Sequence, residues 1–324
     1  MTIRSAPPAP ASDIVVAMIK RPRGEIGAVR YGGIEAGGTK WVCAVADQPG
    51  RPAITQTFPT AGPAETVSRA LRFFAENGPV DAIGVGAFGP VDIHRDSPAW
   101  GTITSTPKPG WAGTDLVCAL RSGLGVPIAL DTDVNAAALG EWRWGAAAGL
   151  DTFCYVTVGT GIGGGAVVNG RILHGLLHPE FGHTRIPHDR ARDPFDGICP
   201  YHGDCLEGLA SGEAIRQRWG QAGHEVSGAA AWEIEAEYLA LSLVNVVCML
   251  SPQRIIIGGG VAKQPTLLPL ARRRLIELLA GYLRAPELTD PEAMDGYVVT
   301  PRLGDYSGIV GAIELARDAA AGPA

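Results

Sequence analysis

Short apolar runs alternate with amphipathic stretches along most of this chain, and several of the apolar runs end in glycine or aspartate. Short apolar runs predict strands and apolar residues at helical spacing predict helices, so the alternation indicates an α/β protein. The run at 80–88 is almost wholly apolar, which is typical of a strand in the parallel part of a sheet. We predict one strand that begins at 31 and further strands at 41–46, about 53–58, 80–88, 126–130, 153–158, 166–168, 254–257 and 296–300. We predict helices near 65–77, 115–122, 135–144, 231–250, 266–280 and 307–319.

A strand, a glycine-rich turn and a second strand occur twice, about 120 residues apart. This internal similarity predicts two related domains that face one another. The first turn places the backbone N–H groups of Gly37, Gly38, Thr39 and Lys40 where phosphates could dock, although a tight hairpin turn alone would explain it. The second turn carries Gly159, Thr160 and Gly161 and runs on to Gly165. It matches G-x-G-x-x-G but leads into a strand, so we favour a phosphate-facing hairpin over a dinucleotide fingerprint.

Two further features lie at the carboxyl ends of predicted strands. Gly258, Gly259 and Gly260 stand between a buried strand and a helix, where open α/β sheets bind nucleotides, although a short capping loop is the simpler reading. Asp133 opens a predicted helix, where an aspartate can serve as N-cap. Its place in a crevice favours a second role, that of a general base for a sugar hydroxyl that attacks phosphorus.

Four metal-binding side chains cluster in sequence: His183, followed by Cys199, His202 and Cys205 in a C-x2-H-x2-C tract. Thiolates and imidazoles in this number are typical of a closed, structural zinc site. A Cys199–Cys205 disulfide, or unpaired core thiols with a surface histidine, is the alternative. Glu180 and Glu207 are interleaved with these ligands, so a metal-stiffened loop could hold two carboxylates toward a polar ligand.

The composition argues against nucleic-acid-binding and membrane-spanning proteins. The chain has 324 residues, a net charge of −6 and 46% hydrophobic residues, which is globular and gives no basic surface for nucleic acid or anionic membranes. No apolar run is long enough to span a bilayer, and we expect a cytoplasmic protein without a signal peptide. Residues 1–29 are rich in proline and alanine and are predicted to be a disordered extension. The remaining cysteines, Cys43, Cys118, Cys154 and Cys248, are predicted to be buried thiols.

Six motifs in order over about 31–319 resemble the ROK family of sugar kinases and, within it, the bacterial fructokinase branch. They are 32–40, 86–90, 131–135, 159–164, 178–183 and 199–207. The resemblance implies a two-lobed, actin-like (ribonuclease-H-like) α/β fold with ATP and sugar in the cleft. It implies a small lobe at 30–132 joined by a C-terminal helix at about 306–320, and a large lobe at 133–305 that carries the zinc loop.

The resemblance also implies residue roles. Asp133 is the expected catalytic base, and the expected sugar-binding residues are Gly89, Thr106, Glu180, His183 and Glu207. His183 is expected to bind zinc with one ring nitrogen and to face the sugar with the other. The glycine turns would hold the phosphates of ATP, Gly258–Gly260 would lie near the nucleoside, and Mg²⁺ would bridge ATP oxygens through water from the region of Glu35.

Three departures from the wider family are typical of the fructokinase branch: Thr132, Glu35 and the C-x2-H-x2-C spacing. We therefore predict an ATP-dependent fructokinase that acts at the 6-hydroxyl of D-fructose, and expect a homodimer by analogy. A mannokinase or broad-specificity hexokinase is the alternative. Two alternatives are not enzymes. A sugar-responsive ROK regulator would carry an N-terminal helix-turn-helix domain, for which the proline-rich extension is too short. A non-catalytic sugar sensor would not need Asp133.

Overall fold

The computed structural model describes residues 29–321, so the predicted extension at 1–29 lies, apart from its last residue, outside the described part. Strands form where the apolar runs predicted them, and three further two-residue strands, at 102–103, 114–115 and 171–172, were not predicted. In chain order they are β1 (Tyr31–Ala36), β2 (Lys40–Ala46), β3 (Ile54–Pro59), β4 (Ala82–Ala87), β5 (Thr102–Ile103), β6 (Thr114–Asp115), β7 (Ile128–Thr132), β8 (Phe153–Val158), β9 (Ile162–Val168), β10 (Arg171–Ile172), β11 (Ile255–Gly258) and β12 (Val298–Val299).

The helices are amphipathic or, at the centre of the molecule, apolar on most sides. In chain order they are α1 (Pro63–Glu76), α2 (Leu116–Leu124), α3 (Asp133–Trp144), α4 (Leu206–Ala210), α5 (Gly212–Trp219), α6 (Ala229–Leu250), α7 (Leu267–Leu279), α8 (Pro286–Thr289), α9 (Pro291–Tyr297) and α10 (Ser307–Ala321). The short helices α4, α5, α8 and α9 were not predicted, because a helix of one or two turns shows little periodicity. Among the described helices, none has both the length and the apolar character that crossing a bilayer requires.

Two five-stranded sheets share one topology. The first has the order β3-β2-β1-β4-β7 and the second β10-β9-β8-β11-β12. In each, an antiparallel meander is followed by two parallel strands. The predicted internal repeat is therefore confirmed, and it places the two glycine turns, 37–39 and 159–161, at equivalent positions.

The second hairpin differs from the prediction in one respect. Strand β9 begins at Ile162, so the glycines at 163–165 belong to the strand and not to the turn. Close packing explains them, because a Cβ at Gly164 would lie 2.7 Å from Phe181 and a Cβ at Gly165 would lie 2.4 Å from the side chain of Asn135. The predicted strand at 296–300 is likewise shorter, since α9 continues to Tyr297 and leaves only β12.

Each sheet has its own hydrophobic core. The first is built around Trp41, Phe73 and Trp111, and the second around Trp232 and Leu243 on the inner helices. Helix α10 packs on the first sheet, where a Cβ at Gly84 would lie 1.9 Å from the carbonyl oxygen of Ala312. The lobe boundary at 132/133 stays a prediction.

Helices α3 and α10 cross in direct backbone contact. A Cβ at Gly311 would lie 1.6 Å from the carbonyl oxygen of Ala136, and a Cβ at Gly140 would lie 2.4 Å from that of Ser307. Any larger side chain at either position would separate the helices. This crossing fixes the amino end of α3, and with it Asp133, relative to the amino end of α10.

Two of the predicted buried thiols are exposed. Cys43 and Cys154 are buried, as predicted, but Cys118 and Cys248 are exposed. The buried face of α2 is formed by Leu116, Val117, Leu120 and Leu124, so Cys118 falls on the opposite face. An apolar run in an amphipathic helix contains residues of both faces, and the sequence alone did not separate them.

Candidate active site

The two glycine turns meet across the cleft between the sheets. The first turn closes through a hydrogen bond from the backbone N–H of Gly37 to the carbonyl of Lys40 at 3.1 Å, and the second through Gly159 N–H to Gly161 O at 2.9 Å. The hydroxyl of Thr39 donates to that of Thr160 at 3.3 Å. Both turns thus direct small residues into one space, as a polyphosphate site requires.

Two cavities open on either side of these turns. The larger, of ≈ 1170 Å³, is lined by Gly89, Thr106, Glu180, His183 and Glu207 among others. The smaller, of ≈ 780 Å³, lies between Tyr155, Trp232, Gly260 and Ser307. Both are lined by the same small group, which marks their junction: Glu35, Lys40, Asp133, Val134, Thr157, Gly159, Thr160 and Glu213.

Asp133 occupies this junction as the first residue of α3. It is not the N-cap, because the hydroxyl of Thr132 caps the helix by accepting the N–H of Asn135 at 3.1 Å. One carboxylate oxygen of Asp133 accepts the N–H of Val134 at 2.9 Å. Loss of solvent raises the pKa of Asp133 to about 6, against which that backbone hydrogen bond acts. The residue is therefore a base of useful strength near neutral pH.

Glu35 is the second carboxylate at the junction. Burial, and then the charge of Asp133, raise its pKa to about 7. Its Oε2 atom is buried and has no hydrogen-bond partner among the described residues. An unpartnered carboxylate oxygen beside a second carboxylate fits a hydrated Mg²⁺, which takes few direct protein ligands and keeps several waters.

Two acids and an imidazole face the larger cavity. The Oε2 atom of Glu207 accepts the N–H of Ile162 at 2.9 Å, while its Oε1 lies 3.8 Å from Nε2 of His183. Glu180 lies nearby, and partial burial, together with the charges of Glu207 and Asp133, raises its pKa to about 7. Carboxylates so placed can accept hydrogen bonds from a polyhydroxyl ligand.

The four predicted metal ligands converge. Nδ1 of His183 lies 3.6 Å from the Sγ atoms of both Cys199 and Cys205, and Nδ1 of His202 lies 3.5 Å from Sγ of Cys199. All four donor atoms lie within 4.8 Å of one another. Tetrahedral zinc with ordinary bond lengths separates its donors by about 3.3–3.8 Å, so these three separations of 3.5–3.6 Å and the S₂N₂ chemistry fit that ion. Both cysteines are free thiols, which argues against the disulfide alternative.

A buried ion network attaches the segment that carries the predicted metal ligands to the second core. The guanidinium of Arg218 contacts Asp193 at 3.1 Å and Glu235 at 2.6 Å, with all three side chains at most 5% exposed. Tyr238 donates its hydroxyl to Asp193 at 2.6 Å, and His188 lies 3.0 Å from the carbonyl oxygen of Asp193. Such paired burial restrains the segment, since an unpaired charge there would be costly.

The smaller cavity is shaped by residues that the sequence did not reveal. Buried Glu141 accepts the N–H groups of Arg302 and Leu303 at 3.0 and 2.9 Å and the hydroxyl of Ser307 at 2.7 Å. It thereby holds the segment before α10 against α3. No motif marks such residues, because they are separated by about 160 positions in the chain.

The predicted site residues are brought together with one difference. Gly259 and Gly260 line the smaller cavity, and the residues of both glycine turns line the junction or the larger cavity. Gly258 instead ends β11, where a Cβ would lie 2.4 Å from the hydroxyl of Tyr155. Its lack of a side chain is explained by packing against this tyrosine, which itself lines the smaller cavity.

Comparison with known proteins decides the family. The model of the ROK family matches residues 31–319. The chain belongs to the ROK family. Among ROK relatives, it is 44% identical over 295 residues to a fructokinase of Zymomonas mobilis subsp. mobilis, covering 88% of this chain and 96% of that protein. It is also 44% identical over 259 residues to a fructokinase of Lactococcus lactis subsp. cremoris, covering 80% and 88%.

Solved ROK structures support the fold. A ROK family glucokinase from Streptomyces griseus, in complex with glucose and AMPPNP, superposes with a TM-score of 0.70 at 27% identity, covering 90% of this chain and all of that one (100%). A ROK hexokinase from Thermus thermophilus gives a TM-score of 0.71 at 27% identity, covering 89% and 98%. The predicted two-lobed, actin-like fold is confirmed by this agreement.

Proposed function

We propose that the protein is an ATP-dependent fructokinase, which transfers the γ-phosphoryl group of ATP to the 6-hydroxyl of D-fructose. The observation that carries the proposal is the position of Asp133 where the two cavities meet. On one side lies the larger cavity with carboxylates suited to sugar hydroxyls, and on the other lies the smaller cavity, while residues of the two glycine turns line the junction itself. Relatives that share 44% of their residues with this chain are named fructokinase.

In the proposed mechanism, Asp133 accepts the proton of the 6-hydroxyl as that oxygen attacks the γ-phosphorus. A new oxygen–phosphorus bond forms, and the bond between the γ-phosphorus and the bridging oxygen breaks, with its electron pair leaving on ADP. Glu180 and Glu207 accept hydrogen bonds from other sugar hydroxyls, and Nε2 of His183 faces the same cavity. The N–H groups of the two turns offset the negative charge of the phosphates.

Two metal ions are part of the proposal. Mg²⁺ would be held through water near Glu35 and Asp133 and would supply charge neutralisation at the phosphate oxygens. Zinc would be held by His183, Cys199, His202 and Cys205 and would supply rigidity. By occupying Nδ1 of His183 it also leaves Nε2 protonated, which makes that atom a donor toward the sugar.

The proposal is tested by ATP consumption with purified protein on fructose, mannose, glucose and N-acetylmannosamine, with metal content determined alongside. We expect the highest kcat/KM on fructose. A higher value on mannose or glucose would replace fructokinase by another hexokinase of the family. Sugar binding without any ATP turnover would instead support a non-catalytic sensor.

We further propose that the protein acts in the cytoplasm as a homodimer. Free thiols at Cys43 and Cys154 are compatible with a reducing compartment. The carboxyl end of α6 exposes Cys248 and Met249, the latter at 83%, and this apolar end suits burial against a second copy. Light scattering on the native protein and on M249E tests this, with a monomeric native protein as the contrary result.

A further inference from the structure

After β10 the chain leaves the second sheet and lies against loops of the first. Polar contacts hold residues 174–178, here called the strap, at every second position. They are His174 Nε2 to Asp131 Oδ2 at 2.9 Å, Leu176 O to His94 Nε2 at 2.9 Å, and the N–H of Val91 to Nε2 of His178 at 3.1 Å. The strap ends two residues before Glu180. The strap therefore connects the segment that carries this acid with the loops of the first sheet.

The protonation of His178 follows from its contacts. The backbone N–H of Val91 can only donate, so Nε2 of His178 must be the unprotonated, accepting nitrogen. The side chain is 4% exposed, and burial lowers the pKa of this histidine, which keeps the ring neutral. A neutral ring that accepts at Nε2 carries its proton on Nδ1.

The protonated nitrogen lies close to the proposed sugar-facing acid. The N–H of Nδ1 donates to the carbonyl oxygen of Pro179 at 3.4 Å, and Oε1 of Glu180 lies 3.5 Å from the same nitrogen. The carboxylate is thus at the limit of hydrogen-bond distance, and a small shift would let it accept this N–H. Such hydrogen bonds are often long in a ligand-free site and shorten when the ligand is bound.

The corner of the ring between its two nitrogens lies against the loop that follows β4. A Cβ at Gly89 would lie 3.0 Å from Cε1 of His178, so only glycine lets the ring approach this closely. Gly89 itself lines the larger cavity. One buried ring thus connects Gly89 and Val91, on the side of the first sheet, with Glu180, on the side of the second.

We propose that His178 is a positioning residue, which aligns the Glu180 carboxylate for the sugar by donating from Nδ1 while Val91 fixes the ring through Nε2. The inference rests on the proposed function, because it takes Glu180 to be a sugar-binding acid. Its consequence is that the two nitrogens have separable roles. The Nε2 contact serves the docking of the strap, and the Nδ1 contact serves sugar binding.

Two substitutions separate these roles. The amide of glutamine can replace Nε2, so H178Q keeps an acceptor for Val91 and loses the donor to Glu180. The amide of asparagine can replace Nδ1, so H178N keeps the donor and leaves the N–H of Val91 unpaired. The control is H94A, which removes the neighbouring contact of the strap with Leu176 and leaves His178 intact.

We expect H178Q to unfold near the wild-type temperature but to raise the KM for fructose by about 10- to 100-fold, as loss of a hydrogen bond to a charged group does. The KM for ATP should change by less than about threefold, because the two cavities are lined by different residues beyond their junction. H178N should show the reverse pattern, with a lower unfolding temperature and a KM for fructose within about threefold of wild type. H94A should leave the KM for fructose unchanged.

A double-mutant cycle completes the test. In an E180Q background, H178Q should add little to the KM for fructose, since the two residues act as one unit. The inference would be overturned by any of three results. These are a KM for fructose of H178Q equal to that of the wild type, equal effects of H178Q and H178N on this KM, or additive effects of H178Q and E180Q on it. Wild-type turnover is measured first. Its absence on every hexose would refute the proposed function, whereas turnover with an unaffected H178Q refutes only the role of His178.

Discussion

Replacement of Gly161 by alanine should move Glu207, one of the proposed sugar-binding acids, without unfolding the protein. A Cβ at Gly161 would lie 2.6 Å from Oε2 of Glu207, the oxygen that accepts the N–H of Ile162 at 2.9 Å. Carbon and oxygen need roughly 3.4 Å, so the carboxylate must retreat by about 0.8 Å or rotate away. The atom that moves is the end of a flexible side chain, and the backbone can therefore stay in place.

The displaced carboxylate loses a charge-assisted hydrogen bond, which is worth about 1.5–3 kcal/mol. If the free energy of fructose binding weakens by the same amount, the KM of G161A for fructose rises by about 10- to 100-fold. The unfolding temperature should change little by comparison. A matched control is G296A, because a Cβ at Gly296 meets nothing within 4 Å and the residue lies in α9, outside both cavity linings. Steady-state kinetics and thermal unfolding of both variants are the assays.

Gly161 also belongs to a turn proposed to bind the phosphates of ATP, so its substitution could act there as well, and the two effects have to be separated. In an E207Q background, G161A should add little to the KM for fructose if it acts by moving that side chain. An unchanged KM for fructose in G161A, or a full additional effect on top of E207Q, would refute the reasoning. A rise in the KM for ATP alone would show that the new methyl group obstructs the phosphates instead.

Two further predictions concern pH and the metal. With the pKa of Asp133 raised to about 6, its ionised fraction falls from about 0.9 at pH 7 to about 0.1 at pH 5, so loss of this base alone should lower kcat/KM for fructose about tenfold. Protonation of Glu35 and Glu180, whose pKa values are raised to about 7, should lower it further, and activity should recover when the pH is restored; a flat profile over this range contradicts the base assignment. C205S replaces a predicted zinc-binding thiolate by a poorer ligand. It should give substoichiometric zinc, a lower unfolding temperature and a higher KM for fructose, whereas C118S, on the exposed face of α2, should do none of these; full activity of a demonstrably metal-free protein refutes the structural role.

The repeated hairpins were predictable because glycine turns between apolar strands leave a local signature. The convergence of the four predicted metal ligands was predictable for a similar reason, since three of them lie within seven residues, 199–205, and their chemistry is restrictive. The glycines of β9 were assigned to a turn because sequence does not show which neighbour approaches them. Their cause is the packing of Phe181 and Asn135, which no local pattern reveals.

The smaller cavity could not be predicted in detail. It is formed by residues from α3, β8, α6 and the start of α10, which come together only in the folded chain. Glu141 and Ser307 are one example, joined by a hydrogen bond of 2.7 Å across 166 positions. His178 lies in the motif at 178–183, but the sequence predicts no role for it. The proposed positioning role depends on its contact with the N–H of Val91, 87 positions away.

The account depends most on Asp133 as the group that receives the sugar proton. The most direct test is the turnover of D133N on fructose with saturating ATP, together with calorimetric measurement of fructose binding to the same variant. We predict that kcat falls by about 10²- to 10⁴-fold while the dissociation constant of fructose changes only a few-fold. A D133N variant that retains near-wild-type turnover would contradict the central claim.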